Sequence, residues 1–493
     1  MTVESLDIYP GSERRRGGSV YFMADTEGGA GLFVSGPDME LFEGTEVALS
    51  GETFKCCPLT VENSKTLRKL FEFANPVSHK GRNITIGLGD RLGIASAGHI
   101  RTVRELDVFP VLAQQSIREL NLTGRTYEGV LAAAVWAVFR EGYTKGYGAD
   151  GDHLKTHAEV EHALECGYTM ITLDCSEHIR NDMVTAAQTM VDERYCTLPA
   201  EVTSQLEKVY LNKSFHIDND ISIEFSEADF RRAVLVYLPA VSHALSIYSK
   251  LIKGKDVDFE VSIDETMSTT SPQSHFFVAN ELIRKGAEFA SLAPRFVGEF
   301  QKGIDYIGDT SGFERDFLVH ARIADKFGYK ISVHSGSDKF SIFPIVGRLT
   351  SGKFHLKTAG TSWLEAVRVI AKHDPGLYRE MHVFALENLG EAKKYYHTTE
   401  DTSNIAAIGD VPDAGLADYL EHEDARRVLH ITYGLILMAE RDDGAPLFRD
   451  RIYNFLRAHE AEYFAALERH IGRHLTALGA ENEVESGKWK VES

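Results

Sequence analysis

Asn83-Ile84-Thr85-Ile86-Gly87-Leu88-Gly89-Asp90-Arg91 opens a pattern that returns until about Thr361 and decides the fold. A short, β-rich apolar run ends in polar residues, and a helical stretch follows. The runs that read as strands are 84–88, 108–112, 142–148, 170–173, 259–263, 289–296, 331–333 and 354–357. Eight such units predict an α/β protein built on a (β/α)8 TIM-like barrel. Nearly every run is followed by chemically capable residues: Asp90-Arg91, Gln114-Gln115, Asp152-His153, Asp174, Asp264-Glu265, Glu299-Phe300-Gln301, His334-Ser335 and Thr358. On a barrel these loops share one rim, whereas the single crevice of an open doubly wound sheet leaves polar groups after every strand unexplained.

Outward from the barrel, residues 1–80, rich in glycine and β-branched types, read as a β-rich N-terminal appendage. The catalytic barrel is expected over 81–375, interrupted by a helical insertion at about 176–257 that suits a lid or an oligomer contact. A helical C-terminal extension is expected over 376–493, with Tyr453, Phe455, Leu456, Tyr463, Phe464 and Leu467 spaced for a packed helix pair and a frayed end over 479–493.

The chain's 493 residues bury a large core, and its 43% hydrophobic and 26% charged residues are the balance of a globular protein. Apolar runs such as 130–138 and 435–439 are too short to cross a bilayer, and the start Met1-Thr2-Val3-Glu4-Ser5 lacks a leader pattern, so a cytoplasmic protein is expected. Fifty-three basic against 73 acidic residues give a net charge of −20, which repels nucleic acid and anionic membranes. Cys56, Cys57, Cys166, Cys175 and Cys196 form no C-x-x-C pair and read as reduced thiols. No Gly-x-Gly-x-x-Gly opens a helix after a strand and no Gly-Lys-Ser/Thr phosphate loop is present, which disfavours nucleotide cofactors and hydride transfer.

The adjacent Asp152 and His153 suit a base and a metal ligand; a helix N-cap with a packed histidine is the structural alternative. His334 follows a clear strand and precedes the turn Ser335-Gly336-Ser337-Asp338-Lys339, so it is either a ligand or a supporting histidine. The two-residue period puts Glu260, Ser262 and Asp264 on one inward face, where Glu260 needs a cation or metal partner: chemistry or a buried salt bridge. Glu299 and Gln301 share a face, and charge alone selects Glu299 as the ligand. Asp90 suits pairing with Arg91, and His275 suits capping or packing. Because the overall field opposes an anion, any anionic ligand must meet a local cluster of cations.

Five motifs in order, Gly87-Leu88-Gly89-Asp90-Arg91-Leu92-Gly93, Gly148-Ala149-Asp150-Gly151-Asp152-His153-Leu154-Lys155, Asp264-Glu265-Thr266, Phe300-Gln301-Lys302-Gly303-Ile304-Asp305-Tyr306 and His334-Ser335-Gly336-Ser337-Asp338-Lys339-Phe340, resemble the tagaturonate/fructuronate epimerase family. The resemblance implies a hexuronate-catabolic enzyme that inverts a keto-uronate at its fourth carbon with a divalent metal cation. It further implies Asp152 as proton acceptor, Glu260 as proton donor, and His153, Gln301 and His334 as metal ligands. Lys339, Lys357, Asp90 and Arg91 are the substrate-binding candidates beside them. A metal-dependent sugar aldolase or isomerase on the same barrel, or a non-catalytic sugar-binding protein, are the competing functions.

Overall fold

In Asp258–Ile263, alternate side chains take opposite faces, as a strand requires. Phe259 meets Tyr248 in the surrounding shell, while Glu260 reaches Thr172, His334 and Lys357 across the interior. Seven other strands behave similarly, and together they close a barrel. The strands are β1 (Ile84–Leu88), β2 (Phe109–Ser116), β3 (Gly148–Leu154), β4 (Met170–Asp174), β5 (Asp258–Ile263), β6 (Ser291–Pro294), β7 (Lys330–Val333) and β8 (Phe354–Thr358). All neighbours are parallel, and β8 pairs back onto β1. This is the (β/α)8 barrel expected; the computed structural model describes residues 6–480 apart from Glu27, Gly28, Met267 and His397.

One strand lies elsewhere than its sequence reading. Gly142, expected to open the third strand, sits at φ 61° as the left-handed end of the helix Tyr127–Glu141, and β3 begins only at Gly148. Its core is Asp150-Gly151-Asp152, a turn-like composition made extended by ladders to β2 and β4.

The lower end of the barrel is closed. The Lys330 ammonium lies 3.0 Å from His79 Nδ1 and donates to Thr85 Oγ1 at 3.1 Å, and Thr85 meets His355 Nδ1 at 2.8 Å. The His79 amide and Ser78 hydroxyl both donate to Asp258. Burial lowers Lys330 to about 7.

Before the barrel, strands between Asp7 and Pro58 form a six-stranded antiparallel sheet with its own cluster of Phe22, Phe33 and Phe54. The insertion after β4 is mainly helical, with a small hairpin of Ser214–His216 and Ser222–Glu224. Its span Glu227–Ile252 is long and apolar enough to cross a membrane by length and composition, and half of that apolar window is buried in the protein. Beyond β8, helices including Thr361–His373, Glu423–Ile431, Arg449–Ala458 and Glu460–Ala477 pack over one side. The tail over 481–493 and the first five residues lie outside the described part. The five cysteines are free thiols.

Candidate active site

Polar side chains fill the barrel in tiers. In the middle tier, register sets Thr172 of β4 beside Glu260 of β5, and Glu260 beside Ser291 of β6. Both hydroxyls donate to the Glu260 carboxylate. The Lys357 ammonium, from β8, lies 2.8 Å from Asp150, 2.7 Å from Asp152 and 3.1 Å from Glu260. One buried cation thus faces three buried carboxylates, so the tier carries net negative charge. Burial opposes the charge on Lys357, but Asp150, Asp152 and Glu260 outweigh it and hold the ammonium protonated. Asp150 is raised to about 6, chiefly by burial.

Gly87 is needed here. A Cβ on β1 at this point would lie 1.5 Å from Gln114 Oε1, whose side chain crosses the same space.

The upper tier holds Asp152, His153, Asp264 and His334. His153 Nδ1 is 2.8 Å from Asp152 Oδ1, His334 Nε2 is 2.8 Å from Glu260 Oε1, and the two imidazole centroids are 4.9 Å apart. The helix after β3 is capped by Thr156 in a reciprocal box with Glu159, so Asp152 is released from the capping role. His153, Ser335 and Asp338 all adopt positive φ (54°, 50° and 63°), a cost tolerated where the surroundings fix the strand ends. Burial pushes Asp152 up, but His153 and Lys357 draw it well below the usual carboxylate range. Burial likewise opposes the charge on His334, and Asp264 with Glu260 overcomes this, raising it to about 10.

This tier lines a narrow cavity of about 50 Å³ together with Arg118, Glu265, Lys302 and Gly360. A wider recess of about 760 Å³ shares Ser116, Arg118, His153 and Glu265 with it and leads outward.

A divalent cation fits this donor set. One ligand atom from each of His153, Asp264 and His334 lies within 4.8 Å of the others. His334 Nδ1 is buried without a hydrogen-bond partner, although Asp264 Oδ2 stands 3.1 Å away, and two imidazoles with a carboxylate suit first-row divalent metals.

The structure brings Asp152, His153, Glu260, His334 and Lys357 together, but not all the sequence candidates. Glu260 lies below the cavity and reaches it through His334 and Lys357. Gln301 turns its amide to Glu299 (2.5 Å), Thr399 and Arg427. Glu299, the residue charge alone selects, is exposed. Lys339 is fully buried, its ammonium donating to the carbonyls of Gln301, Ile304 and Ser337. Arg91 lies over Tyr433 and pairs with Glu119, while Asp90 accepts from the amides of Leu92, Gly93 and Ala95. These three residues hold loops in place. His275 is packed, bonded to His320 and Tyr329.

Sequence reasoning missed Asp150 and Thr172 in the middle tier, and Arg118 and Lys302 on the cavity wall. It also missed the helix Glu423–Ile431. Arg426 holds Gly303 O and Asp338, Arg427 holds Gln301, and the His430 ring packs where Gly303 and Gly360 leave room. Arg426 and Arg427 carry a signal that could have marked them, as charged residues in a helix otherwise spaced for burial.

Fold and site define a barrel enzyme of the acid–base kind with a candidate cation seat. Residues 9–478 match the family model of UxaE, tagaturonate epimerase. The tagaturonate/fructuronate epimerase of Thermotoga maritima is 40% identical over 478 residues, covering 96% of this chain and 97% of that protein. Among solved structures, the fructuronate-tagaturonate epimerase UxaE of Cohnella laeviribosi in complex with one glycerol is 51% identical, with a TM-score of 0.95 and 97% of each chain covered. Its native form superposes with a TM-score of 0.94 over the same shares. The chain belongs to the tagaturonate epimerase family and is an isomerase.

Proposed function

We propose that this protein interconverts D-tagaturonate and D-fructuronate in hexuronate catabolism, in the cytoplasm, by inverting the fourth carbon with a divalent cation. The observation that carries the reading is Asp152 sharing one cavity with the His153, Asp264 and His334 donors, in a chain alike over its full length to proteins bearing that name. A small keto-uronate is the partner that this polar cavity suits, and the net charge of −20 disfavours nucleic acid and membrane surfaces.

His153, His334 and Asp264 would hold the cation. Gln301, the third ligand the resemblance implies, would first have to leave Glu299, Thr399 and Arg427. When bound, the cation supplies positive charge beside the oxygens of a hydroxy-ketone.

The hydrogen at the fourth carbon is not adjacent to the carbonyl at the second, so direct abstraction is unfavourable. Instead, Asp152 accepts the proton of the hydroxyl on the fourth carbon. The bond between the third and fourth carbons breaks, its electron pair passing toward the second-carbon carbonyl, and the fourth carbon becomes an aldehyde. The aldehyde turns its other face, the third carbon adds back, and the new alkoxide takes a proton from Lys357, held charged by Glu260. Asp152, 2.7 Å from Lys357, returns its proton there and the site is reset.

The test is to follow tagaturonate by NMR in deuterated water with metal-stripped and reconstituted protein. Fructuronate should form only after reconstitution, without deuterium at the fourth carbon. Full activity of stripped protein would exclude the cation, and deuterium at that carbon would exclude bond cleavage. Accumulating three-carbon fragments would mark an aldolase, and no conversion would reject the substrate.

A further inference from the structure

The keto-uronate reading requires an anion to enter a cavity walled by Asp152, Asp264 and Glu265 in a protein of net charge −20. A carboxylate there needs cations whose charge is not already committed. Lys357 is shared among three carboxylates, and all three ammonium donors of Lys339 go to carbonyls. Arg91 is bound to Glu119 and covered by Tyr433, Arg426 is held by Asp338, and Arg427 by Asp424. Lys155, at the outer recess, pairs with Glu177 and Asp174.

Two cations on the cavity wall remain, Lys302 and Arg118. Neither forms an ion pair among the described residues. Arg118 gives one donor to the Tyr395 carbonyl and lies over the Tyr396 ring, 4.8 Å from its centroid, which steadies the guanidinium while leaving its other donors available. Lys302 follows Gln301 in the loop after β6, the loop that Lys339 and Arg426 brace from behind. The neighbouring acids compete weakly: Glu119 is engaged by Arg91 and caps the helix after β2, and Glu265 stands exposed at the rim.

We propose that Lys302 and Arg118 form the cradle for the substrate's carboxylate and thereby select a keto-uronate over the ketose with a hydroxymethyl group in its place. This rests on the keto-uronate reading above. Lys302 and Arg118 line the same cavity, so their like charges repel across the wall. An anion between them relieves that repulsion, and its absence in a neutral ketose leaves the cost in place.

The test uses the full chain with Lys302→Met, Lys302→Arg and Arg118→Gln, and two dead-end ligands with the same hydroxyl chain, galactonate and galactitol, titrated by calorimetry beside KM measurements on tagaturonate. Lys302→Met should weaken galactonate by about 30- to 100-fold and raise KM similarly, the range of a charged hydrogen bond. Galactitol affinity should change less than about threefold, and Lys302→Arg should recover most of the loss. Equal weakening of both ligands would assign Lys302 a structural role and overturn the proposal, as would unchanged galactonate binding in Lys302→Met and Arg118→Gln. If wild-type protein binds galactonate with the expected dependence on Lys302 but leaves tagaturonate unconverted, the cradle stands and the substrate assignment fails.

Discussion

Lys357→Met removes the cation shared by Asp150, Asp152 and Glu260 while keeping most of its volume, and leaves Asp152 to His153, Glu260 to His334 and Asp150 with no cation partner among the described residues. Each carboxylate lies within 3.1 Å of the ammonium. At an effective dielectric of about 20, each contact is worth roughly 5 kcal/mol of Coulomb energy, most of it offset by the cost of burying the charges. Breaking a buried pair from one side typically costs about 3–5 kcal/mol, because the remaining charge has no partner. The sign of the pH dependence separates this from a packing defect. In the wild type, Asp152 and Glu260 are held below their unfolded range, so their contribution is present at neutral pH and is lost on acidification. In the variant all three carboxylates shift upward, Asp150 most because Lys357 is its cation partner, so the destabilisation is largest at pH 7 and is relieved as they take up protons. The difference in unfolding free energy, from urea denaturation at pH 7 and pH 5, should therefore shrink at pH 5. Adding Asp150→Asn should recover part of it at pH 7. A difference that is constant or larger at pH 5 would refute the electrostatic reasoning. Activity should fall by at least about 100-fold, the usual scale of a lost proton-transfer group.

The third ligand is decided by metal content after dialysis: Asp264→Asn should lose the ion and Gln301→Ala should retain it, and the reverse pattern would restore Gln301 to the ligand set. Since His334 is raised to about 10 by Asp264 and Glu260 against the opposing effect of burial, a cation must displace at least one proton across the neutral range. Its Kd should therefore rise at least about tenfold for each unit of falling pH between 9 and 7. Calorimetry in two buffers of different ionisation enthalpy should show that proton released, and none released would contradict the assignment of His334 as a ligand.

The barrel was legible because most of its strands carry β-branched or aromatic residues facing the shell, as in 259–263 and 331–333, and this pattern is local. The third strand was not. Its Ala-Asp-Gly-Asp-His composition is that of a turn, its extended form rests on the ladders to β2 and β4, and Lys357, the cation that compensates Asp150 and Asp152, comes two hundred residues later. The same distinction holds at the site. Glu260 and His334 were readable as candidates from inward phase and strand-end position, whereas Asp152 and His153, placed after a strand expected at 142–148, lie within β3. The scaffolding use of Lys339 and the orientation of Gln301 were not readable, because they depend on carbonyl directions in loops and on Thr399 and Arg427 from a part of the chain with no barrel periodicity.

The helix Glu423–Ile431 touches the loops after β1, β6, β7 and β8, through Arg91, Gly303, Asp338 and Gly360. During synthesis the cylinder has all its staves once Thr358 has left the ribosome, yet the rim has no clamp until some seventy residues more have emerged. A nascent chain halted in that interval would have every stave of the barrel and none of the contacts that Arg426, Arg427 and His430 make to its rim.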